Sequence, residues 1–329
     1  MFKSIASEIR TGICVLNTHT HNGSFRAAIS RSNLKSQSAM EYLMTYGWAI
    51  LIIAVVLGAL FSLGVFNGSN LAPKASPGEC QVFRPNGPGT TMDINLAGEC
   101  QGLEPQYVAQ FNGHSSYVSI GSAGLPLEDN PRSFFAWVYW NGSTSGGSWG
   151  SNTEVIFGYG HVTGCSPYGG TPTIFIDDAN VLHFDGGCAS YTASPFTVTT
   201  NHWHFVGYTY NTGGNLVYYY DGQSNTITGG RTLSVSSVDA ATIGKPSTEL
   251  GNFFPGSIAD VQIYNTSLDA NQVQALYQEG IGGAPIDPMY LVGWWPLNGN
   301  SNDYSGNNNN GQAYNVIYTG SWTSGYSAP

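Results

Sequence analysis

The chain has 329 residues, a length that suits one large domain or two modest ones. Only 9% of the residues are charged, whereas 43 are glycine and 20 are tyrosine, so the composition favours β-strands over the Glu/Lys/Ala/Leu-rich pattern of helical enzymes. With ten Lys and Arg against twenty Asp and Glu, the chain is also a poor candidate for a nucleic-acid-binding protein, because phosphate binding needs basic patches.

An uncharged apolar segment near the N-terminus divides the chain into two unequal parts. No charged residue occurs between Tyr42 and Lys74, and residues 48–66 are almost wholly apolar. About twenty such residues cross a bilayer core as an α-helix. Five basic and two acidic residues precede the segment, whereas five basic and eighteen acidic residues follow it. The sequence therefore predicts a single-pass protein of the cell membrane with a cytoplasmic N-terminus, a transmembrane helix over residues 37–66 and an extracellular C-terminal part.

Four of the five cysteines follow the apolar segment, and this even set predicts disulfides in an exported domain. Sequence order favours the pairs Cys80–Cys100 and Cys165–Cys188, although four cysteines allow three connectivities. A zinc site is the alternative, but the cysteines lack the short C-x-x-C spacing that such sites use. We therefore expect the disulfides to be structural.

Asn-x-Ser/Thr sequons, the acceptor tripeptides of N-glycosylation, occur at Asn22, Asn67, Asn141 and Asn265. Such tripeptides arise often by chance in a chain that is rich in Asn, Ser and Thr. The last three would lie on the extracellular side of the predicted helix.

Residues 1–36 are polar and basic without clear periodicity, which predicts a cytoplasmic tail or a leader that is removed on export. At its end, Lys35 and Ser36 are followed by Gln37, and Glu41 stands fifth from that glutamine. This pattern resembles the class III signal peptide of type IV pilin-like proteins, in particular the archaeal ones. The resemblance implies cleavage before Gln37 by a prepilin-type peptidase. It also implies self-assembly into a filament, in which Glu41 meets the N-terminal amine of a neighbouring subunit.

The match to that signal peptide has three departures. Ser36 replaces the usual Gly or Ala before the cleavage site, and Ala39 and Thr45 stand where the archaeal pattern prefers Ser and Leu. The spacing of the glutamine, the glutamate and the apolar run is nevertheless kept. The alternative is a plain single-span anchor in the lipid bilayer. Glu41 would then lie in the headgroup region, because a carboxylate deeper in the bilayer is costly unless it is paired.

Residues 67–106 are rich in Gly, Pro and Asn, so they cannot form a long helix and predict a stalk with a disulfide loop. From residue 107 the chain shows short runs of alternating aromatic or branched and polar residues, with turn residues between them. The ten predicted strands are Tyr107–Phe111, Ser116–Ile120, Ser133–Trp140, Glu154–Tyr159, Thr173–Asp177, Val181–Phe184, Trp203–Tyr210, Leu216–Tyr220, Ala240–Ile243 and Ser257–Tyr264. They favour a mainly β fold, an antiparallel two-sheet sandwich.

One helix follows the last of these strands. Asp269 is its expected N-cap, Gln272 completes a capping box, and Gly280 ends it. The helix has a narrow apolar stripe that must rest on the sandwich. The residues of this stripe are Val273, Leu276 and Tyr277.

Several segments of this region together resemble a known family. They are FNGHSSYVSI (Phe111–Ile120), SFFAWVYW (Ser133–Trp140), NHWHFVGYTYN with VYYYDG (Asn201–Asn211 and Val217–Gly222) and GSIADVQIYNTSLDANQVQALYQEG (Gly256–Gly280). Their order is similar to that of the laminin-G-like, concanavalin A-like jelly roll, over roughly residues 107–280. The resemblance implies a jelly-roll sandwich that displays a binding surface.

The C-terminal tail is out of the family's order. The segment LVGWWPLNGNSNDYSGNNNNGQ (Leu291–Gln312) resembles the segment with which family members usually begin, yet here it stands last. We expect residues 107–329 to form one sandwich in which a permuted segment, residues 290–319, covers strand edges that would otherwise be unpaired. The tail could instead start a second, truncated repeat or donate a strand to a neighbouring subunit.

Candidate catalytic groups are few. Glucanases of this fold set two carboxylates on one strand face, often as Glu-x-Asp-x-x-Glu, and the sequence has no such run. Glu154 stands alone on its strand, while Asp177 and Asp178 occupy a turn, where Asp commonly serves the turn geometry. His202 and His204 share a strand face and could ligate a metal, but Trp-His before an apolar strand is part of the family pattern and favours a structural role. The sequence therefore does not predict an enzyme.

A calcium ion is the one cofactor that the sequence suggests. Asp303, Ser305 and Asn307 are closely spaced oxygen donors of the kind that hard cations require. The resemblance implies calcium near this segment, with help from an acidic residue pair in a strand. Here Ala259 takes the first position of that pair, and only Asp260 remains. The alternative is a solvated Asn/Gly turn.

Sugar binding needs aromatic platforms with amide and carboxylate partners beside them. Aromatic residues near predicted loops are Trp140, Trp149, Tyr168, Tyr191 and Trp322. Most aromatic residues in a sandwich belong to the core or to cross-strand pairs, so no glycan-contacting residue is identifiable. We interpret the chain as a pilin-like surface adhesin whose laminin-G-like domain binds extracellular glycans or surface proteins. The alternatives are a structural filament or envelope subunit without a ligand and, disfavoured by the missing carboxylate pair, a glycoside hydrolase.

Overall fold

The structure is a computed structural model that describes residues 33–62, 72–90, 96–97, 100, 103–144, 153–160, 170–186, 193–230, 232–238, 240–247 and 251–329, with the backbone alone at residues 33–43, 96–97 and 240. The chain divides into two compact units, Met1–Leu63 and Gly64–Pro329, and each is treated by itself. The predicted pair Cys165–Cys188 lies outside the described residues.

In the first unit, helix α1 runs from Asn33 to Ser62. Its part Met44–Ser62 is long and apolar enough to cross a membrane. Large apolar side chains are exposed all round this part, with no polar face, which suits lipid or neighbouring helices better than water. The predicted apolar N-terminal helix is therefore present, while its orientation in a membrane stays a prediction.

The second unit is built from short strands and one further helix. The strands are β1 (Lys74–Ala75), β2 (Gln81–Val82), β3 (Leu96–Ala97), β4 (Glu104–Pro105), β5 (Val108–Asn112), β6 (Tyr117–Ile120), β7 (Arg132–Trp140), β8 (Thr153–Gly160), β9 (Thr173–Asp177), β10 (Leu182–Asp185), β11 (Trp203–Asn211), β12 (Asn215–Tyr220), β13 (Gln223–Ile227), β14 (Ala240–Ile243), β15 (Pro255–Tyr264), β16 (Leu291–Trp295), β17 (Gln312–Tyr314) and β18 (Ile317–Thr319). Each of the ten predicted strands is present, with ends within two residues of the prediction.

Two antiparallel sheets form the sandwich that the sequence predicts. One sheet has the order β10–β9–β8–β14–β6–β17. The other has the order β13–β12–β11–β7–β15–β5–β18, and β16 also pairs with β15. Strand β15 is long enough for two partners on one side, because Pro255–Ile258 pairs with β5 and Val261–Tyr264 pairs with β16.

Strand β7 shows why the larger sheet is buried on both faces. Alternate side chains of a strand point to opposite faces. Phe134, Ala136, Val138 and Trp140 lie in the apolar core between the two sheets. Phe135 and Trp137 lie in a second apolar cluster on the other face. A sheet with one solvated face would show alternating apolar and polar residues, so the nearly continuous apolar run of β7 reflects this double burial.

Helix α2 (Ala270–Gln278) covers part of the second cluster. Asp269 caps it, and the reciprocal capping box with Gln272 is formed as predicted. The helix ends before Gly280, which adopts a positive φ of 78° that favours glycine. Val273 and Leu276 are buried in the second cluster.

The C-terminal tail pairs within the same chain. Strand β16 adds to β15, β17 adds to β6, and β18 adds to β5. Because β6 and β5 belong to different sheets, the tail contributes strands to both layers of the sandwich. Its Trp294 and Trp295 are fully buried, Trp294 in the second cluster and Trp295 in the core between the sheets.

The segment that precedes the sandwich packs against this tail. Cys80 and Cys100 form a disulfide. Strand β1 pairs with β4, and β2 pairs with β3. Val82 is buried in the second cluster, and its N–H donates to the carbonyl of Tyr304 over 2.7 Å. The described residues between 72 and 106 thus lie against the sandwich, whereas a stalk was expected there.

Arg132, at the start of β7, is buried and holds the loop that leads into the strand. Its guanidinium donates to carbonyl oxygens of that loop and to the hydroxyl of Tyr159 over 2.7 Å. The loop acceptors are the carbonyls of Pro126, Leu127, Glu128 and Asn130. These hydrogen bonds to the carbonyl oxygens of one loop compensate the buried positive charge of Arg132.

Candidate functional site

The residues predicted to hold calcium instead form a hydrogen-bonded turn. Asp303 Oδ1 accepts from the backbone N–H groups of Trp294 (3.0 Å) and Ser305 (2.9 Å). Its Oδ2 accepts from the hydroxyl of Ser305 (2.9 Å) and the N–H of Asn309 (2.8 Å). A carboxylate offers about four lone-pair sites, so these donors fill them.

Asn307 is engaged in the same way. Its amide nitrogen donates to the carbonyls of Leu291 (2.8 Å) and Val292 (3.0 Å), and its Oδ1 accepts from the N–H of Gly89 (3.0 Å). Calcium needs six to eight oxygen ligands with free lone pairs. In this arrangement the oxygens face N–H donors, so the residues do not fit the ion. Among the residues that the structure describes, no group of three or more His, Cys, Asp or Glu side chains could hold a metal ion.

Asp260, the fourth residue of the predicted calcium set, is buried at a bulge in β15. Its side chain is 3% exposed, and its φ of 50° lies in the left-handed region that is uncommon outside glycine. The carboxylate accepts from the indole N–H of Trp294 (2.7 Å) and from the amide of Gln262 (2.9 Å). Burial raises the pKa of Asp260 to about 7, against the lowering effect of the hydrogen bonds from Gln262 and Trp294.

Asp260 and Asp303 therefore both accept hydrogen bonds from Trp294 in the tail. Asp260 binds the side chain of Trp294, and Asp303 binds its backbone N–H. Asp260 thus joins β15 to β16, and Asp303 joins β16 to the turn that follows it. Both roles are structural.

His204 and the turn carboxylate of Asp177 also have structural partners. His204 is buried, with Nδ1 2.7 Å from Asp221 Oδ2 and Nε2 2.7 Å from Thr199 Oγ1. Asp221 Oδ1 in turn accepts from the N–H of Phe205, so the pair joins strand β11 to the end of β12. Asp177 Oδ1 accepts from two N–H groups of its own turn, as its turn position predicted.

The aromatic platforms considered from the sequence are not open where the structure describes them. Trp140 is 0% exposed, and its indole N–H donates to Asn180 Oδ1 over 2.7 Å. Trp322 is 4% exposed, and its indole N–H donates to the carbonyl of Pro105 over 3.1 Å. The other three aromatic candidates, Trp149, Tyr168 and Tyr191, lie outside the described residues.

A groove of about 550 Å³ lies between the segment that precedes the sandwich and the tail. This volume is within the range of about 300–1,000 Å³ that is common for small-molecule sites. Four parts of the chain line it: Arg84 with residues 88–90, residues 123–124, Asn265, and a C-terminal part with residues 287–289, residues 291–292 and Asn307. Met289 is 71% exposed at the groove.

The polar groups of the groove fall into two kinds. Arg84 and Asn307 stabilise the sides of the groove through hydrogen bonds to backbone carbonyls. Arg84 donates to the carbonyls of Thr90 (2.8 Å) and Leu291 (3.1 Å), and also to those of Ser305 and Pro288. Asn307 donates to the carbonyl of Leu291. Asn265 is exposed, and its side-chain amide has no hydrogen-bond partner among the described residues. Asp287 accepts at Oδ2 from the amide of Gln272 (3.0 Å), and its Oδ1 has no hydrogen-bond partner among the described residues.

Sequence reasoning did not find this groove. Its walls come from positions that are more than two hundred residues apart, and no local motif joins them. The one local signal was the sequon at Asn265, which marks an exposed turn.

The processing and assembly residues lie in α1. Ser36, Gln37 and Glu41 fall within its helical backbone, and their side chains are outside the described residues. Cleavage and assembly therefore stay predictions.

The geometry defines an antiparallel jelly-roll sandwich with an open groove at its tail. The sequence profile of the laminin-G family described as the concanavalin A-like lectin/glucanases superfamily matches residues 112–274. The second unit therefore contains a laminin-G-like, concanavalin A-like jelly-roll domain. A comparison with curated proteins gave no match.

Solved structures with a similar fold have low sequence identity to the chain. A proposed carbohydrate-binding protein from Bacteroides ovatus ATCC 8483 is 17% identical with a TM-score of 0.48; the alignment covers 70% of this chain and 64% of that protein, less than two thirds of its length. A heptameric SAP-like pentraxin from Limulus polyphemus is 15% identical with a TM-score of 0.44, over 64% of this chain and 94% of the pentraxin. Domains LG4-5 of the mouse laminin alpha1 chain are 17% identical with a TM-score of 0.37, over 51% and 45%.

Proposed function

We propose that the protein is a membrane-anchored surface protein whose laminin-G-like domain binds carbohydrate in the groove beside the tail. The observation that carries this proposal is the open volume of about 550 Å³ with an uncommitted amide (Asn265) and a partly free carboxylate (Asp287). Amides and carboxylates are the groups that hydrogen-bond sugar hydroxyls, and the side chain of Met289 offers an apolar surface for the ring face. The family's description as lectins and glucanases supports the same ligand class.

Binding in this groove needs no calcium in the proposal, because Asp303 and Asn307 are committed to N–H donors and to carbonyls. It needs no catalytic step either. Asp287 is the one carboxylate among the described residues that line the groove, whereas glycoside hydrolysis uses two carboxyl groups that flank one bond.

The anchor in this proposal is pilin-like. The spacing of Lys35, Gln37 and Glu41 supports processing before Gln37, and the exposed apolar surface of α1 supports packing against copies of itself. Mass spectrometry of the mature N-terminus tests the processing. A chain that starts at Gln37 supports it, whereas an intact Met1 leaves a plain anchor. If Glu41 pairs with a neighbour, Glu41→Ala should reduce filament assembly more than membrane insertion, and an equal effect on both would reject the pairing.

A glycan array with the full chain in detergent, produced in a host without N-glycosylation, tests the binding. We expect retention on a subset of glycans, with and without calcium. Asp287→Asn should weaken that binding at least tenfold, because it removes the charge that accepts sugar hydroxyls, while Asn still tolerates the positive φ of 46° at this position. The matched control is Asp178→Asn, an exposed carboxylate of a turn that does not line the groove. The proposal fails if no glycan is retained, or if the two variants bind equally.

A further inference from the structure

The sequon at Asn265 lies in the wall of the proposed binding groove. Asn265 directly follows β15, and its backbone N–H donates to the carbonyl of Tyr290 over 2.9 Å. Its side chain is exposed and has no hydrogen-bond partner among the described residues. The acceptor nitrogen of the sequon is therefore accessible from solvent.

Ser133 of β7 holds the turn that carries the sequon through Thr266 and Leu268. Ser133 Oγ donates to the carbonyl of Thr266 (2.7 Å) and accepts from the N–H of Leu268 (2.9 Å). These bonds hold the backbone of the turn on the sandwich, and the side chain of Asn265 is left at the groove. Ser267 makes no side-chain hydrogen bond among the described residues, so its hydroxyl is not needed for the turn.

The other described sequon differs in its surroundings. Asn141 is exposed, but its Oδ1 accepts from the N–H of Ser143 over 2.8 Å, and it does not line the groove. Asn22 and Asn67 lie outside the described residues. Asn265 is thus the described sequon at which an attached sugar would meet the groove.

We propose that Asn265 is N-glycosylated on the extracellular side and that the attached glycan covers the groove, so that glycosylation decides whether the groove is open to other sugars. The part of this inference that concerns covering of the groove rests on the proposed function. In the transfer, Asn265 Nδ2 forms a bond to the anomeric carbon of a lipid-diphosphate-linked oligosaccharide. The bond between that carbon and the phosphate oxygen breaks, the lipid diphosphate leaves, and the amide loses one proton. Both the donor and the transferase belong to the export machinery.

The test separates the modification from the amide itself. Ser267→Ala destroys the sequon and keeps Asn265, whereas Ser143→Ala destroys the sequon at Asn141 as the matched control. Each full-length protein is isolated from membranes of a host that N-glycosylates its exported proteins. Chymotryptic peptides are then analysed by mass spectrometry, since the chain after Lys245 contains no Lys or Arg for trypsin. The same preparations are applied to a glycan array.

We expect a glycan mass on the Asn265 peptide of the wild type and of Ser143→Ala, and none on that of Ser267→Ala. Glycan binding by Ser267→Ala should be at least tenfold stronger than that of the other two. An unmodified Asn265 in the wild type overturns the inference. Modification with equal binding in all three overturns the gating. If Asn265 is modified and Ser267→Ala still binds no glycan, the modification stands, while the proposed binding and the gating with it are rejected.

Discussion

The buried carboxyl of Asp260 makes a sharp prediction about pH. Its pKa is about 7 in the folded protein, against an ordinary value of 3.8, mainly because burial disfavours the charged form. Each pKa unit corresponds to 1.36 kcal/mol. The difference of about three units therefore amounts to about 4 kcal/mol in the free energy of unfolding.

The direction of the effect follows from the protons bound in each state. Below about pH 4 the Asp260 carboxyl is neutral in both states. Between about pH 4 and 7 the folded protein keeps a proton that the unfolded chain releases, so raising the pH favours unfolding. Above pH 7 both states are ionised, and the cost stays constant. This residue therefore makes the protein less stable at pH 8 than at pH 4.

Asp260→Asn keeps the size of the side chain and removes the charge. The measurement is urea unfolding of the full chain in detergent, followed by tryptophan fluorescence, in steps from pH 4 to pH 8. Relative to the variant, the wild type should lose about 4 kcal/mol over this range, while contributions of other groups cancel in the comparison. Asp178→Asn, at an exposed turn, should keep the wild-type dependence. Parallel curves for wild type and Asp260→Asn would refute the reasoning.

Three further predictions concern the disulfide, the buried Arg132 and the turn at Asp303. Replacing Cys80 and Cys100 with Ser frees a closed loop with a sequence separation of 20 and should lower the free energy of unfolding by about 3 kcal/mol, measured by urea unfolding; unchanged stability would argue against a structural disulfide. Arg132→Lys removes the planar fork that serves the loop carbonyls and should cost about 3 kcal/mol in the same assay, and a variant as stable as the wild type would show that these contacts contribute nothing. Millimolar calcium should shift the midpoint of thermal unfolding by less than about 1 °C relative to EDTA, because the oxygens of Asp303 already accept N–H and O–H donors. A rise of several degrees would reveal a calcium site.

The sandwich could be predicted from the sequence because its strands carry local signals. Strands such as Tyr117–Ile120 alternate between partly exposed and buried side chains, and the capping residues around Asp269 mark the start of α2. Strand β13 (Gln223–Ile227) gave no such signal, because its side chains are polar and largely exposed. Strands β17 and β18 have three residues each, too few to establish a period.

The candidate site could not be predicted, for a different reason. The oxygen-rich spacing at Asp303 is the same whether the oxygens face a cation or the N–H groups of a tight turn, and only the fold decides which they meet. The groove depends on a contact between Arg84 and the tail across more than two hundred residues. Single-sequence patterns carry no information about such a contact.

The disulfide between Cys80 and Cys100 also has a mechanical consequence. Arg84 lies inside the loop that this disulfide closes, so tension that enters the second unit from its N-terminal side passes from Cys80 to Cys100 through the covalent bond. The hydrogen bonds of Arg84 to Ser305, Pro288 and Leu291 lie outside that path. The groove wall that Arg84 holds is therefore shielded from a pull on the anchor for as long as the disulfide is intact.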